Sequence, residues 1–152
     1  MINEENQTDN YSKRQYLILR NIKYLHMKKI INTSNAPAPI GPYNQAILSG
    51  NMLYISGQIA INPETNELVT RTIVDETKQV MENLNAILKE AGMDFENVIK
   101  TSIFINDMNN FSQINGVYGE YFNSETAPAR ETVEVANLPK FVNVEISAIA
   151  VK

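Results

Sequence analysis

"VNVEISAIAV", residues 142–151, is the stretch from which the rest of the chain can be read. Val142, Val144, Ile146, Ala148 and Ala150 fall on one side of an extended chain, and Asn143, Glu145 and Ser147 on the other. Side chains of a strand alternate between faces, so this is a strand with one face in a core. Glu145 stands between a valine and an isoleucine. Glutamate is depleted from strands and seldom buried without a partner. It either faces solvent on the open side or orients a water and moves a proton.

Working outward, "NVIKTSIFIND" predicts a second strand, with Ile99, Thr101, Ile103 and Ile105 on one face and Lys100, Ser102 and Phe104 on the other. "RETVEVA" predicts a third, joined to the last by the connector "NLPKF". "KKIIN" reads as a short strand before the proline-punctuated loop "TSNAPAPIGP". "YNQAIL" and "MLYIS", separated by "SGN", carry a hairpin signal, and "GQIAINPETNE" follows as a loop.

Ile73, Val80, Met81, Leu84, Ile87, Leu88 and Ala91 recur at helical spacing, with Gly92 as the stop. A second helix starts near Asn109 or Asn110 and buries Phe111, Ile114, Val117, Tyr118, Tyr121 and Phe122. Two helices and about half a dozen strands make an α+β domain, a sheet with both helices on one face. Lys100, Ser102, Asn143, Glu145 and Ser147 mark a second sheet face too mixed for another buried layer within one subunit. Water or another subunit covers it, and Phe104, Ile149 and Val151 favour a subunit.

The 152 residues suit one domain with a modest core. There is no cysteine, which removes disulfides, thiolate metal sites and thiol nucleophiles. The one histidine, His26, precedes the regular pattern, so a histidine base, a Ser-His-Asp triad or a histidine metal centre is not expected. Residues 1–26 carry a net +1 and the whole chain −4, which leaves −5 on residues 27–152. An acidic domain without a basic stripe is a poor nucleic-acid binder.

Residues 1–26, "MINEENQTDNYSKRQYLILRNIKYLH", read as an N-terminal extension, disordered or non-native, ahead of a domain at 27–152. The alternative is an amphipathic docking helix using Leu17, Ile18, Ile22 and Leu25. Its apolar run is too short for a secretory core or a membrane span, and a cytoplasmic protein is expected.

From Met27 onward the chain has two arginines, Arg71 and Arg130, and uses lysine for its other positive charges. Arg130 follows Pro128 at the mouth of a strand. A guanidinium is planar, permanently charged and able to grip a carboxylate through two parallel hydrogen bonds. A surface pair with Glu131 is disfavoured because adjacent strand residues project to opposite faces, and Thr132 shares Arg130's side instead. Gly41-Pro42 sets a tight turn before Tyr43. Ser56-Gly57 is either a bulge or a place where a ligand approaches the backbone closely. Asn115 interrupts the second helix's stripe, facing solvent or hydrogen-bonding across an interface.

Taken together, "NAPAPIGPYNQA", "SGQIAINPETNE", "FINDMNNFSQINGVYGEYF" and "PARETVEVANLPKFVNVEISAIAV" resemble, in order and spacing, the Rid family of reactive intermediate deaminases, also called YjgF-type or L-PSP proteins. The resemblance covers residues 28–152. It implies a chorismate-mutase-like α+β fold and a homotrimer with active sites between subunits. It implies cofactor-independent hydrolysis of 2-iminobutanoate, 2-iminopropanoate and their enamines, released by pyridoxal-phosphate enzymes, to 2-keto acids and ammonia. By position, Arg130 would hold the substrate carboxylate and Glu145 would place the attacking water. Tyr43, Ser56, Gly57, Asn115, Tyr118 and Thr132 would shape or contact the pocket, with no metal. Two positions depart from the family's habit. Glu131 stands where a small residue is common, and Thr132 where cysteine is common, which excludes thiol side activities there. The alternatives are the endoribonuclease or translation-inhibitor activity that the L-PSP name records, and a non-enzymatic keto-acid-binding regulator.

Overall fold

The computed structural model describes residues 28–152, so the reading of residues 1–26 as an extension or docking helix lies outside the described residues. Six strands form one sheet: β1 Lys28–Ile31, β2 Ala46–Ser49, β3 Met52–Gln58, β4 Val98–Ile105, β5 Ala129–Glu134 and β6 Val144–Val151. Their order across the sheet is β1-β2-β3-β6-β4-β5. Only the β4–β5 pair is parallel, so the sheet is mixed. Two α-helices, α1 Ile73–Glu90 and α2 Phe111–Gly119, pack on one face.

The long helix has its ends written in the sequence. Thr72 caps its start by accepting the Asp75 N–H at 3.1 Å, and Asp75 and Glu76 sit where the helix dipole favours acids. At the other end Gly92 takes φ +70°, the Gly92 N–H reaches the Lys89 carbonyl and the Met93 N–H the Leu88 carbonyl. That paired closure requires a residue free to turn left-handed, which is why the glycine stops the helix. Val80, Met81, Leu84, Ile87 and Leu88 are buried against Leu53, Ile103, Ile105, Val144 and Ile146 from the sheet.

The hairpin between β2 and β3 turns on Gly50 and Asn51, with Ser49 opposite Met52 and Gly50 at φ 61°. Alternation in β6 is as expected: Val144, Ile146, Ala148 and Ala150 are buried, and Glu145, Ser147 and Ile149 face the other way.

Four local expectations are corrected. Ile99 does not share the core face with Thr101. A bulge between Val98 and Lys100 turns Val98 inward and leaves Ile99 exposed. Strand β3 runs on through Gly57-Gln58, where a loop was expected, because β6 supplies a partner as far as Gln58↔Ile146. Asn143 is not on the open face beside Glu145. It precedes β6, and its amide turns to Glu76 of α1. Tyr121 and Phe122 also lie beyond the end of α2, though their rings still pack with Phe95.

Candidate functional site

Arg130 pairs in register with Thr101, which faces the helices, so its side chain leaves β5 on the helix side of the sheet. There its Nη1 donates to Asn115 Oδ1 at 2.7 Å. The guanidinium carbon lies 5.0 Å from the centre of the Tyr118 ring and 5.8 Å from that of Phe111. Two aromatic rings and an amide therefore hold the guanidinium in place while it remains exposed to a ligand. Tyr118 is itself fixed, its hydroxyl 2.9 Å from Thr101 Oγ1. Burial pushes the Tyr118 phenol up from its ordinary value, while the Thr101 hydrogen bond and the Arg130 charge oppose the rise. Tyr118 thus braces Arg130 through its ring. Thr132, two residues along the same face, has a buried hydroxyl with no hydrogen-bond partner among the described residues.

On the other side of the sheet, Glu145, Tyr43, Ser56 and Gly57 line a cavity of about 390 Å³. Its wall is mostly apolar, built from Pro37, Ala38, Ile40, Ile59, Ile61 and Pro139. Glu145 is the one charged residue in that lining, and burial raises its carboxyl above the usual range. The Ser56-Gly57 pair is a bulge in β3 and a close approach at once. The register slips between Ile55 and Gln58, and a Cβ at Gly57 would stand 2.7 Å from Glu145 Cδ. Gly57 is thus needed so that the Glu145 carboxylate can lie over the backbone. The Tyr43 N–H closes a three-residue turn onto the Gly41 carbonyl at 2.8 Å, and the half-exposed ring folds back over Gly41.

Several residues that hold this cavity together were not singled out from the sequence. Gln45, 2% exposed, donates to the Thr33, Ala36 and Pro37 carbonyls at 2.9–3.0 Å and accepts the Thr33 N–H at 2.7 Å, tying down the proline loop. Asn83 of α1 donates to the carbonyls of Ile59 and Ile61, both at 3.0 Å. The available signal was a polar residue at a position that helical or strand spacing assigns to the core.

The expected site residues therefore form two groups. Asn115, Tyr118, Arg130 and Thr132 lie together on the helix side; Tyr43, Ser56, Gly57 and Glu145 lie together on the other. One chain does not join them. On β4, Arg130 sits beside Thr101 and Glu145 beside Phe104, three residues apart and on opposite faces. Glu131 faces away from Arg130, paired with Lys100 and Ser102, so its charge is neutralised far from the guanidinium's ligand side. No group of three or more His, Cys, Asp or Glu among the described residues is gathered to hold a metal ion, and no described helix is long and apolar enough to cross a membrane.

Comparison with known proteins gives the same geometry a lineage. Residues 33–152 match the family described as Endoribonuclease L-PSP. The chain is 55% identical to a RutC family protein of Pyrococcus horikoshii, over 83% of this chain and 99% of the relative. It is 48% identical to the goat 2-iminobutanoate/2-iminopropanoate deaminase, over 83% of this chain and 91% of the relative. The crystal structure of a Rid family protein of unknown function from Yersinia pestis superposes with a TM-score of 0.80 at 49% identity, covering 83% of this chain and all of that one. This chain belongs to the Rid family, the YjgF-type proteins of the Endoribonuclease L-PSP group.

Proposed function

We propose that the protein hydrolyses 2-imino acids and their enamine tautomers, 2-iminobutanoate and 2-iminopropanoate among them, to 2-keto acids and ammonia. The observation that carries this reading is that one chain presents, on opposite faces of its sheet, a braced, exposed guanidinium and a desolvated carboxyl in an apolar cavity. The first suits an anionic carboxylate; the second, raised by burial above the ordinary carboxylate range, suits proton transfer.

The chemistry needs water and a mobile proton. Arg130 grips the substrate carboxylate through two parallel N–H bonds, with Asn115 and the two rings setting its angle. Water, oriented by Glu145, adds to the imine carbon and gives up a proton to the carboxylate. That proton passes to the former imine nitrogen to give the neutral carbinolamine; the hydroxyl proton then moves through Glu145 to the same nitrogen, the C–N bond breaks, and ammonia leaves as the carbonyl forms. Atoms balance as imine plus water to keto acid plus ammonia. Orientation of two reactants supplies the rate, without a covalent nucleophile.

The two residue groups complete one site only if copies of the chain meet, the Arg130 group of one against the Glu145 cavity of the next. A homotrimer does this through the face bearing Tyr54, Val133 and Ile99, all substantially exposed in one chain. The substrates are the imines that pyridoxal-phosphate dehydratases release from threonine and serine.

The test is a coupled assay. A threonine dehydratase generates the imine, semicarbazide competes for it, and keto-acid formation is followed with this protein or Arg130→Ala. Faster keto-acid formation with the wild type, lost in the variant, supports the reading. No acceleration by the assembled protein refutes it for these substrates. Saturable binding of 2-ketobutanoate without turnover would instead identify a sensor.

A further inference from the structure

We infer that Glu76, on helix α1, is a positioning residue for Glu145: its buried carboxylate replaces the missing end of strand β3 and sets where β6 begins. This rests on the proposed role of Glu145.

Strand β3 stops at Gln58, opposite Ile146. The chain ahead of Ile146 therefore runs beyond its β3 neighbour, and its N–H groups have no β3 partner. Glu76 Oε1 accepts two of them, Asn143 N–H at 2.6 Å and Val144 N–H at 3.3 Å. Glu76 Oε2 accepts the Asn143 side-chain amide at 2.8 Å. Glu76 is 0% exposed, and among the described residues its carboxylate has no ion-pair partner. A buried carboxylate satisfied only by N–H donors is positioned far more strictly than a surface acid, since displacement strands both the charge and the donors.

The segment it holds resists being held. Lys140 and Phe141 both take positive φ, 55° and 56°, a conformation that neither residue favours, and the Phe141 ring is 84% exposed. The Phe141 N–H bond to the Leu138 carbonyl and the buried Leu138 and Val142 side chains hold the turn itself, and the Glu76 carboxylate holds the chain where it leaves the turn. The residue immediately after the two anchored N–H groups is Glu145, whose carboxylate must lie over Gly57 without room to spare. Asn143 Oδ1 also accepts Asn106 Nδ2 at 2.9 Å, which fixes the direction of its amide. Glu145 is faced by Phe104 across β4, by Gly57 across β3, and by the cavity lining, in which Tyr43 is the other titratable group. Lys100 and Glu131 neutralise each other further along the same face.

The test reads Glu145 directly. In the full-length protein, the 13C signal of the Glu145 carboxyl, assigned by its loss in Glu145→Gln, is titrated in wild type, Glu76→Ala, Glu76→Gln and Asn143→Ala. Wild type should titrate above the ordinary carboxylate range. In Glu76→Ala the released strand lets water reach Glu145, and its midpoint should fall back toward that range. In the coupled assay kcat should drop about 100-fold, the loss expected for a displacement of roughly 1 Å, with KM little changed. Glu76→Gln keeps an oxygen for the two backbone N–H groups but opposes its own NH2 to that of Asn143, so both readouts should lie in between. Asn143→Ala should do the same, and these two carry the test if Glu76→Ala does not fold. Folded variants in which Glu145 titrates as in wild type would overturn the inference, as would a kcat loss in Glu76→Gln equal to that in Glu76→Ala. A wild type that hydrolyses no imine would refute the functional reading alone, and the titration would still decide for or against Glu76.

Discussion

Gly57→Ala puts the smallest possible addition where Glu145 lies. The backbone of Gly57 is not left-handed, so alanine meets no conformational penalty. The new methyl would overlap Glu145 Oε1 and stand 2.7 Å from Cδ and 3.0 Å from Cγ, where ordinary contact begins at 3.4 Å. The carboxylate must therefore retreat by about 1 Å, and it can, because it is the end of a flexible side chain. Overpacking that cannot relax costs about 1–3 kcal/mol; here the side chain swings away, so the stability loss should stay near ~1 kcal/mol. Catalysis has no such escape. A 1 Å error in placing a reacting group costs about 100-fold, or roughly 2.7 kcal/mol of transition-state stabilisation. Coupled keto-acid assays should show kcat down by that factor with KM nearly constant, while the melting temperature moves by only a few degrees. A folded Gly57→Ala protein with wild-type kcat would refute the placement of Glu145 at the reacting centre.

Other outcomes follow from the same geometry. Arg130→Lys keeps the charge but loses the planar fork and should cost about 10- to 100-fold in kcat/KM, one to two charge-assisted hydrogen bonds, with little change in melting temperature because the side chain is exposed. Glu145→Gln should abolish turnover yet stabilise the fold near neutral pH. Burial raises the native carboxyl, so between the ordinary carboxylate range and that raised value the folded state binds more protons than the unfolded state. Wild-type stability then falls as pH rises through that window, and the gap to Glu145→Gln, measured by denaturant melts, should close at lower pH. Gln45→Ala strands the Thr33 N–H and the Thr33, Ala36 and Pro37 carbonyls and should cost about 3 kcal/mol, roughly 6–12 °C, with faster amide exchange in residues 33–37.

The sheet's faces were legible because β6 alternates without interruption, and α1 because its stripe and its terminal glycine agree. The bulges were not. At Val98–Lys100 either valine or isoleucine could face the core, and only pairing with β6 selects valine. Glu76 sits four residues before Val80 on the buried stripe, but an acid near a helix start also reads as an ordinary dipole partner. Its real partners, Asn143 and Val144, are 67 and 68 residues away. Arg130 and Glu145 could be chosen by residue type. Their separation onto opposite faces depends on β5 lying parallel to β4 with Arg130 beside Thr101, a long-range register that local pattern does not contain.

That separation is tested most directly by mixing two inactive chains. Arg130→Ala and Glu145→Gln, carrying different tags, are co-expressed in equal amounts, and the doubly tagged oligomers are assayed for imine hydrolysis. If the guanidinium of one copy completes the cavity of the next, one of the three sites in each doubly tagged trimer pairs two intact residues, and about a third of wild-type activity should return. If each site lies within one chain, every site lacks a residue. Mixed oligomers as inactive as their parents would contradict the account.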